Sequence, residues 1–402
     1  MRIGVNCLHI YPEYTGGVNS FTFGLLDGFA RVGAPHELKI FVRPWNAYAF
    51  ESYGTVPHFR VIEIGEPKDR WFHAFHRRLP WQLRRRVGVP ALTRPFEAVS
   101  EREADVLYVP YVPPSHYPYP DLPTVYSIHD IQQVHYPEFF TSEELREREL
   151  AFGNCVEHAA AIQASSRYMR DDFCEHFAKL NETNVEVIPE GVDVDLFAQR
   201  RPDGDVESRY PLPPAFLFTP AQLWPHKNHL TILRALKRLK DRGVVLPWVL
   251  TGAEYTAAPQ IFDFVAENGL EDQVSYLGVV PYEDIVELHQ KARLLVTASI
   301  YESSSIPILE AAAAGTPIVA GRIPPHEEFA EHLELRLFSP ADDEELAGVL
   351  EDAWTDEETN EAQVAANRVG VRHYSWDNAA RMYIDLFERL HSRESALAGG
   401  RA

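Results

Sequence analysis

Cysteine is scarce. Three in 402 residues, Cys7, Cys155 and Cys174, are too few for a stapling framework, and none of their spacings is that of a zinc knuckle or a redox motif. A reducing compartment is the expectation. Long apolar runs are missing as well: no stretch approaches the roughly 20 apolar residues that span a bilayer. The opening MRIGVNCLHIYPEY lacks the apolar core and small-residue cleavage site of a signal peptide. The expected location is the cytoplasm, with any membrane contact peripheral and at the inner face. Basic charge is the third deficit. Against 59 acidic residues there are 38 basic ones, a net charge of −21, which argues against a nucleic-acid platform. Residues 68–94 reverse that balance: eight Lys or Arg and one Asp give this segment +7 and leave −28 for the rest.

What is present is a globular composition, 45% apolar and 24% charged, long enough for two cored domains. Short runs rich in Val, Ile and Tyr predict strands at MRIGVNC, HELKIFV, FRVIEI, ADVLYVP, TVYSIHD, AAIQAS and NVEVIP, and again at AFLFTP, LPWVLTG, VSYLG, RLLVTAS and TPIVAG. Helical patterns lie between them, at residues 18–31, 142–161, 228–242, 259–268, 282–291 and 306–314, the second opening on a Ser142 cap with Glu143 and Glu144 behind it. Residues 198–214, AQRRPDGDVESRYPLPP, lose apolar periodicity and read as a linker. The alternation predicts two doubly wound α/β domains around a ligand cleft. The expected division is 1–205, 206–375, and a C-terminal helix and tail at 376–402 that crosses back to the first domain.

The segment SIYESSSIPILEAAAAGTPIVAG, from Ser299, carries the densest chemistry. A strand ends, a loop follows, and a helix opens near Ile306 with Pro307 in its first turn and Gly315 past its end. The N–H groups of Ser303, Ser304, Ser305 and Ile306 would form a helix N-terminus suited to an anion, with Glu302 and Glu310 on either side. An ordinary strand-helix connection with two solvated acids fits the same residues.

Glu302, seven residues and Glu310 in such a unit resemble the signature of glycosyltransferase family 4, retaining enzymes of the GT-B fold. Gly16-Gly17-Val18, SIHD, ASSRYMRDDF, VIPEGVDVDLF, AQLWPHKNHL, VSYLGVVPYEDI and YSW agree in order over nearly the whole chain. The resemblance implies two Rossmann-like domains facing a cleft, the first for the acceptor and the second for the nucleotide sugar. It implies a catalytic set of His129, Lys227 and Glu302. Gly16, Gly17, Asp130, Gln222, Ser303, Ser304, Ser305, Ile306 and Glu310 would bind substrate. His129 would face the donor sugar, Lys227 the diphosphate and Glu310 the ribose. No cofactor or metal is implied beyond the donor, for which WPHKN and SIHDIQQVHYPEFF suggest GDP-mannose and bacterial polysaccharide assembly. The acceptor would be a glycan or a lipid-linked molecule.

Two positions depart from the family pattern. Gln222 stands where an Arg is common, so it donates hydrogen bonds without charge. Ser303, Ser304 and Ser305 replace a glycine-containing loop, and serine resists positive φ. These departures keep two other readings open, a GT-B sugar-nucleotide epimerase and a non-catalytic binding module. Asp193-Val194-Asp195 has the form of a metal motif but offers too few convergent oxygens. His73 and His76 lack a third ligand, and Gly252 is a lone glycine after a strand. The basic segment at 68–94, with Trp71, Phe72, Phe75 and Trp81 among its arginines, suits an anionic membrane surface or a lipid diphosphate. A solvated basic face is the plainer alternative.

Overall fold

Every apolar run expected to be a strand becomes one, and all of them pair in parallel. The structure, a computed structural model, describes residues 1–12, 16–65, 103–112, 122–199 and 206–399, with side chains to 393. The basic segment 68–94, with His73 and His76, lies outside the described residues. Two compact units divide the chain: Met1–Pro189 with Asp377–Ala402, and Glu190–Trp376.

In the first unit the strands are β1 (Arg2–Asn6), β2 (Glu37–Val42), β3 (Phe59–Glu63), β4 (Val106–Val109), β5 (Thr124–Ser127), β6 (Ala161–Ala164) and β7 (Val185–Val187). Their order is β3-β2-β1-β4-β5-β6-β7. β1 pairs with β2 on one side and β4 on the other, so the winding reverses between β1 and β4. The helix Ser142–His158 starts one residue earlier than its Ser142 cap would require. Thr141 is the cap, its hydroxyl accepting from Glu144 N–H while the Glu144 carboxylate accepts from Thr141 N–H, a reciprocal capping box. From Asp377 onward the C-terminal helix Trp376–Gly399 is part of this unit. Its Tyr383 hydroxyl meets those of Tyr108 at 2.9 Å and Ser127 at 3.0 Å, all buried, and Tyr383 and Phe387 lie against Phe29.

The second unit has β8 (Leu217–Pro220), β9 (Trp248–Thr251), β10 (Val274–Tyr276), β11 (Leu294–Thr297), β12 (Ile318–Gly321) and β13 (Arg336–Phe338), ordered β10-β9-β8-β11-β12-β13. Strand periodicity assigns its side chains to two cores. Leu217, Trp248, Leu250, Leu294 and Val296 pack with helices His229–Asp241 and Asp343–Thr355. Leu295 on the opposite face packs with Ile308, Leu309 and Ala312 of helix Ile306–Ala314, while Phe218 and Val249 pack with Leu288 of helix Tyr282–Lys291. The winding reverses between β8 and β11.

The linker expectation needs correction at its second half. Val206–Arg209 is a helical turn tied to the second unit: Val206 N–H donates to Glu287, Arg209 to Asp284 at 2.6 Å, and the Tyr210 hydroxyl to Asp284 at 2.7 Å. Asp284 and Glu287 are buried on helix Tyr282–Lys291 and need those donors. The compact units themselves part between Pro189 and Glu190.

Candidate active site

In a doubly wound sheet the ligand crevice lies off the carboxyl ends of the strands where the winding reverses. In the second unit that point is the pair β8 and β11. The loop after β8 carries Gln222 and Lys227, and the loop after β11 carries Ser299 and Glu302. They meet: Lys227 Nζ donates to Glu302 Oε1 at 2.6 Å, an ion pair with both side chains mostly shielded from solvent, 22% and 14% exposed.

The Lys227 loop is held in place by its neighbour. Asn228 has left-handed backbone, φ 54°, the sole non-glycine residue so placed among those described. This turn aims its amide at the Ala298 and Pro340 carbonyls, at 3.1 and 2.8 Å, while Thr231 donates to its side-chain oxygen. Ile300 N–H donates to the His226 carbonyl. Lys227 is thus fixed relative to the end of β11 by backbone contacts on both sides. Gly252 serves the same loop: with φ +131°, a Cβ there would sit 2.5 Å from the Ala221 carbonyl oxygen, so this glycine permits the close approach of two loops.

Electrostatics in the cluster follow from burial. Burial opposes the charge on Glu302, but Lys227, His226 and the Ser299 hydroxyl outweigh it and hold this carboxyl below its ordinary value. Glu190 is pushed the other way. Burial first, and then the Glu302 charge, raise it to about 7, although the Ser304 hydroxyl bonds to it and Lys227 lies near. One cation therefore serves two carboxyls, and the second holds its proton to near neutrality. His326 is completely buried and shares this field. Its Nδ1–H donates to the Gly321 carbonyl at 2.7 Å, while its Nε2 has no hydrogen-bond partner among the described residues.

The helix Ile306–Ala314 opens beside this cluster, with Ser305 at its N-terminal boundary and Pro307 in the first turn. Ser304 and Ser305 are buried, and none of Ser303, Ser304 and Ser305 has positive φ. The loop thus runs in backbone that serine adopts without strain. Glu310 belongs to a separate group. It is buried one turn along the helix, accepts from the Tyr282 hydroxyl at 3.0 Å, and has His289 Nε2 3.3 Å away. Burial and the Glu310 carboxylate both raise Tyr282, so its phenol stays protonated. Gln222 directs its side-chain oxygen to the Trp224 indole N–H at 3.0 Å, and Trp224 stacks on Tyr255 at 3.9 Å between ring centres. Asp193 caps the short helix Val194–Ala198 by accepting from Leu196 N–H, a structural task for half of the Asp-x-Asp.

In the first unit, His129 follows β5. Its Nε2 lies 2.9 Å from the Pro110 carbonyl oxygen, which makes Nε2 the protonated nitrogen, and its ring meets Phe21 edge-on. Burial lowers its pKa. Asp130 pairs with Arg148 at 3.2 Å and accepts from Gln132 N–H. Gly16 and Gly17 open the helix Gly17–Val32, and a Cβ on Gly17 would meet nothing within 4 Å.

Four residues of the second-unit site carry no role in the sequence reading: Glu190, His326, Tyr282 and His289. The first lies in VIPEGVDVDLF and the third in VSYLGVVPYEDI, so the motif series marks their neighbourhoods. Nothing local marks either histidine.

Comparison with known proteins agrees with this architecture. The family profile described as Glycosyltransferase Family 4 matches residues 15–196, and that described as Glycosyl transferases group 1 matches residues 205–369, one in each half of the chain. The O-antigen chain mannosyltransferase B of Escherichia coli is 27% identical over 41% of this chain and 44% of its own. The MMP alpha-(1->4)-mannosyltransferase of Mycolicibacterium hassiacum is 30% identical over 56% and 53%. The chain thus spans about half the length of these two relatives. Among solved structures, Anabaena HepE in complex with UDP and glucose superposes with a TM-score of 0.68 at 20% identity, covering 98% of this chain and 100% of the other. With two parallel Rossmann-like sheets and such neighbours over nearly its whole length, the fold is GT-B. Two tandem family profiles that together take in every strand after β1 and the Lys227–Glu302 pair lead to one assignment: the chain belongs to the group 1, family 4 glycosyltransferases.

Proposed function

We propose that this protein transfers a hexose, mannose first among the candidates, from a nucleoside diphosphate sugar to a glycan or lipid-linked acceptor, with retention and without a metal ion. One observation carries the reading: a shielded lysine-carboxylate pair at the winding reversal, beside the N-terminus of helix Ile306–Ala314. As the glycosidic bond breaks, negative charge grows on the departing diphosphate. Lys227 and the helix N–H groups stabilise that charge. Glu302, kept ionised, accepts from a donor-sugar hydroxyl, and Glu310 accepts from the ribose. His129, neutral and anchored by Pro110, orients the sugar. The acceptor hydroxyl attacks on the face the diphosphate leaves, and its proton passes to the departing phosphate oxygen, so no separate protein base is required.

The mannosyl preference is supported by what the two mannosyltransferase relatives are named for, and GDP as carrier by the resemblance that WPHKN and SIHDIQQVHYPEFF carry. The test is release of nucleoside diphosphate from a panel of GDP- and UDP-sugars, with and without acceptor extract and in excess chelator, with product anomeric configuration read by NMR. Acceptor-dependent release from GDP-mannose in chelator, giving the donor's own anomer, is expected. Binding without release would favour a binding module, and turnover without transfer an epimerase or hydrolase. Loss in chelator that Mg²⁺ restores would overturn metal independence. For residues 68–94 we propose docking on anionic lipid, worth about 1 kcal/mol per basic residue near the surface. Co-sedimentation with acidic but not neutral vesicles, weakened by salt and by changing Arg84, Arg85 and Arg86 to Gln, is the expected result.

A further inference from the structure

Two histidines and a buried carboxylate meet in the first unit, apart from every residue assigned to the donor. Asp172 and His176 lie one turn apart on helix Arg167–His176, and His135 ends the short helix Gln132–His135. His135 Nε2 is 2.9 Å from both oxygens of Asp172. His176 Nδ1 is 3.1 Å from Asp172 Oδ1 and 2.9 Å from the Asp172 backbone oxygen. The two imidazoles stand edge to face at 5.3 Å, and one candidate ligand atom from each of the three residues lies within 4.8 Å of the other two. The Asp172 side chain is 5% exposed, the histidines 29% and 28%.

We propose that His135, Asp172 and His176 bind a divalent transition-metal ion of the zinc class through two imidazole nitrogens and one carboxylate oxygen, with solvent completing the coordination. The donor set argues for that class. Two nitrogens and one oxygen suit a borderline ion with four ligands, whereas Ca²⁺ takes six or more oxygens and Mg²⁺ an octahedron of them. Distance argues for it too. Ligand atoms about 2.0–2.2 Å from a tetrahedral ion stand roughly 3.3 Å apart, and the two histidine–carboxylate separations, 2.9 and 3.1 Å, are of that order. When an ion binds, each imidazole takes the tautomer whose hydrogen sits on its other ring nitrogen, so that His135 bonds through the Nε2 lone pair and His176 through that of Nδ1. The carboxylate oxygen changes from acceptor to ligand. The half-exposed imidazoles leave one side open to water. None of the three is a residue assigned to the donor or acceptor, although Asp130 accepts from Gln132 N–H, at the start of the short helix that His135 ends.

The plainer account is an ion-pair network in which two histidines satisfy one buried carboxylate. Direct binding separates the two. The full chain, without an affinity tag and stripped with chelator, is titrated with Zn²⁺ by calorimetry and with Co²⁺ by visible absorption. One ion per chain is expected, with the intense ligand-field bands of four-coordinate Co²⁺ and no thiolate charge-transfer band, although Cys174 is on the same helix. His135→Gln and His176→Gln, each keeping a side-chain donor for Asp172, should weaken binding by about tenfold or more and abolish the Zn²⁺-dependent rise in Tm. Cys174→Ser should change neither. No uptake by the parent, retained affinity in both histidine variants, or loss of binding in Cys174→Ser would each overturn the proposal. The parent's stoichiometry and Co²⁺ spectrum decide the matter even where a variant folds poorly.

Discussion

The two sheets share a strand order at their winding reversals and differ in what the following loops place there. Beyond β8 and β11 stand Lys227, Glu302 and Glu190, three ionisable groups in mutual range, one of them still protonated near neutrality. In the first unit the reversal lies between β1 and β4, and His129, in the loop after the neighbouring β5, is a neutral ring anchored to the Pro110 carbonyl of the loop after β4. Topology decides where a ligand can be met in both. The side chains decide whether that place handles charge or shape, and the charged place in the second unit is where we propose that the diphosphate binds.

The largest effect that can break this contrast is loss of the one cation in the charged site. Lys227→Ala removes the group proposed to meet the developing charge and leaves Glu302 shielded without the lysine that pairs with it. Transfer should fall about a hundredfold in kcat/KM, roughly 3 kcal/mol of transition-state stabilisation. Steady-state kinetics on a variant with parent-like circular dichroism measures it. Glu310→Ala should act mainly through weaker donor binding, because its proposed partner is the ribose and not the transferred sugar. Parent-like turnover in both variants would remove the proposed donor site.

Glu190 sharpens the comparison through pH. Its folded-state value is raised from the ordinary 4.5 to about 7. Between those values the folded protein binds more protons than the unfolded chain, so stability from this group is complete below about 4.5 and is lost as pH rises to 7. Ionisation above 7 also adds a second negative charge beside Glu302, which should raise KM for the donor. Glu190→Gln should flatten both profiles. His129 should add no inflection above its ordinary value, since burial keeps it neutral there. Donor titrations and urea melts from pH 5 to 9 test the set, and an inflection near 7 that survives Glu190→Gln would reassign it.

How much was legible depends on whether the signal is local. All twelve anticipated strands form because a strand buried on both faces is a dense Val, Ile and Leu run. β13 escapes that reading because it is three residues, Arg336–Phe338, in the charged string ELRLF. Helix Asp343–Thr355 hides its buried stripe of Leu346, Ala347, Leu350 and Ala353 among acids that read as solvated surface. The Lys227–Glu302 contact joins residues 75 positions apart, beyond any periodicity, and only the ordered motifs placed the two together. Glu190 shows the opposite limit. Its role comes from burial next to another carboxylate, and no neighbour in sequence announces that.

The smallest predicted effect lies in the first unit and tests whether its C-terminal helix is structurally part of it. Tyr383, Tyr108 and Ser127 join three buried hydroxyls, with Tyr108 and Ser127 also 2.8 Å from each other. Tyr383→Phe deletes one oxygen and keeps the ring that lies against Phe29 and Phe387. Tyr108, which donates to the deleted oxygen, can donate to Ser127 instead, so one hydrogen bond of the group survives and the loss should be only about 1 kcal/mol. Phe387→Ala at the same contact leaves a cavity and should cost about 3–5 kcal/mol. Urea unfolding followed by tryptophan fluorescence and by circular dichroism measures both. Donor constants read at low temperature should stay at parent values for Tyr383→Phe, because the donor residues of the second unit make none of these contacts. A Tyr383→Phe loss as large as that of Phe387→Ala would mean that the hydroxyl triad, rather than the aromatic packing, holds the helix to its sheet.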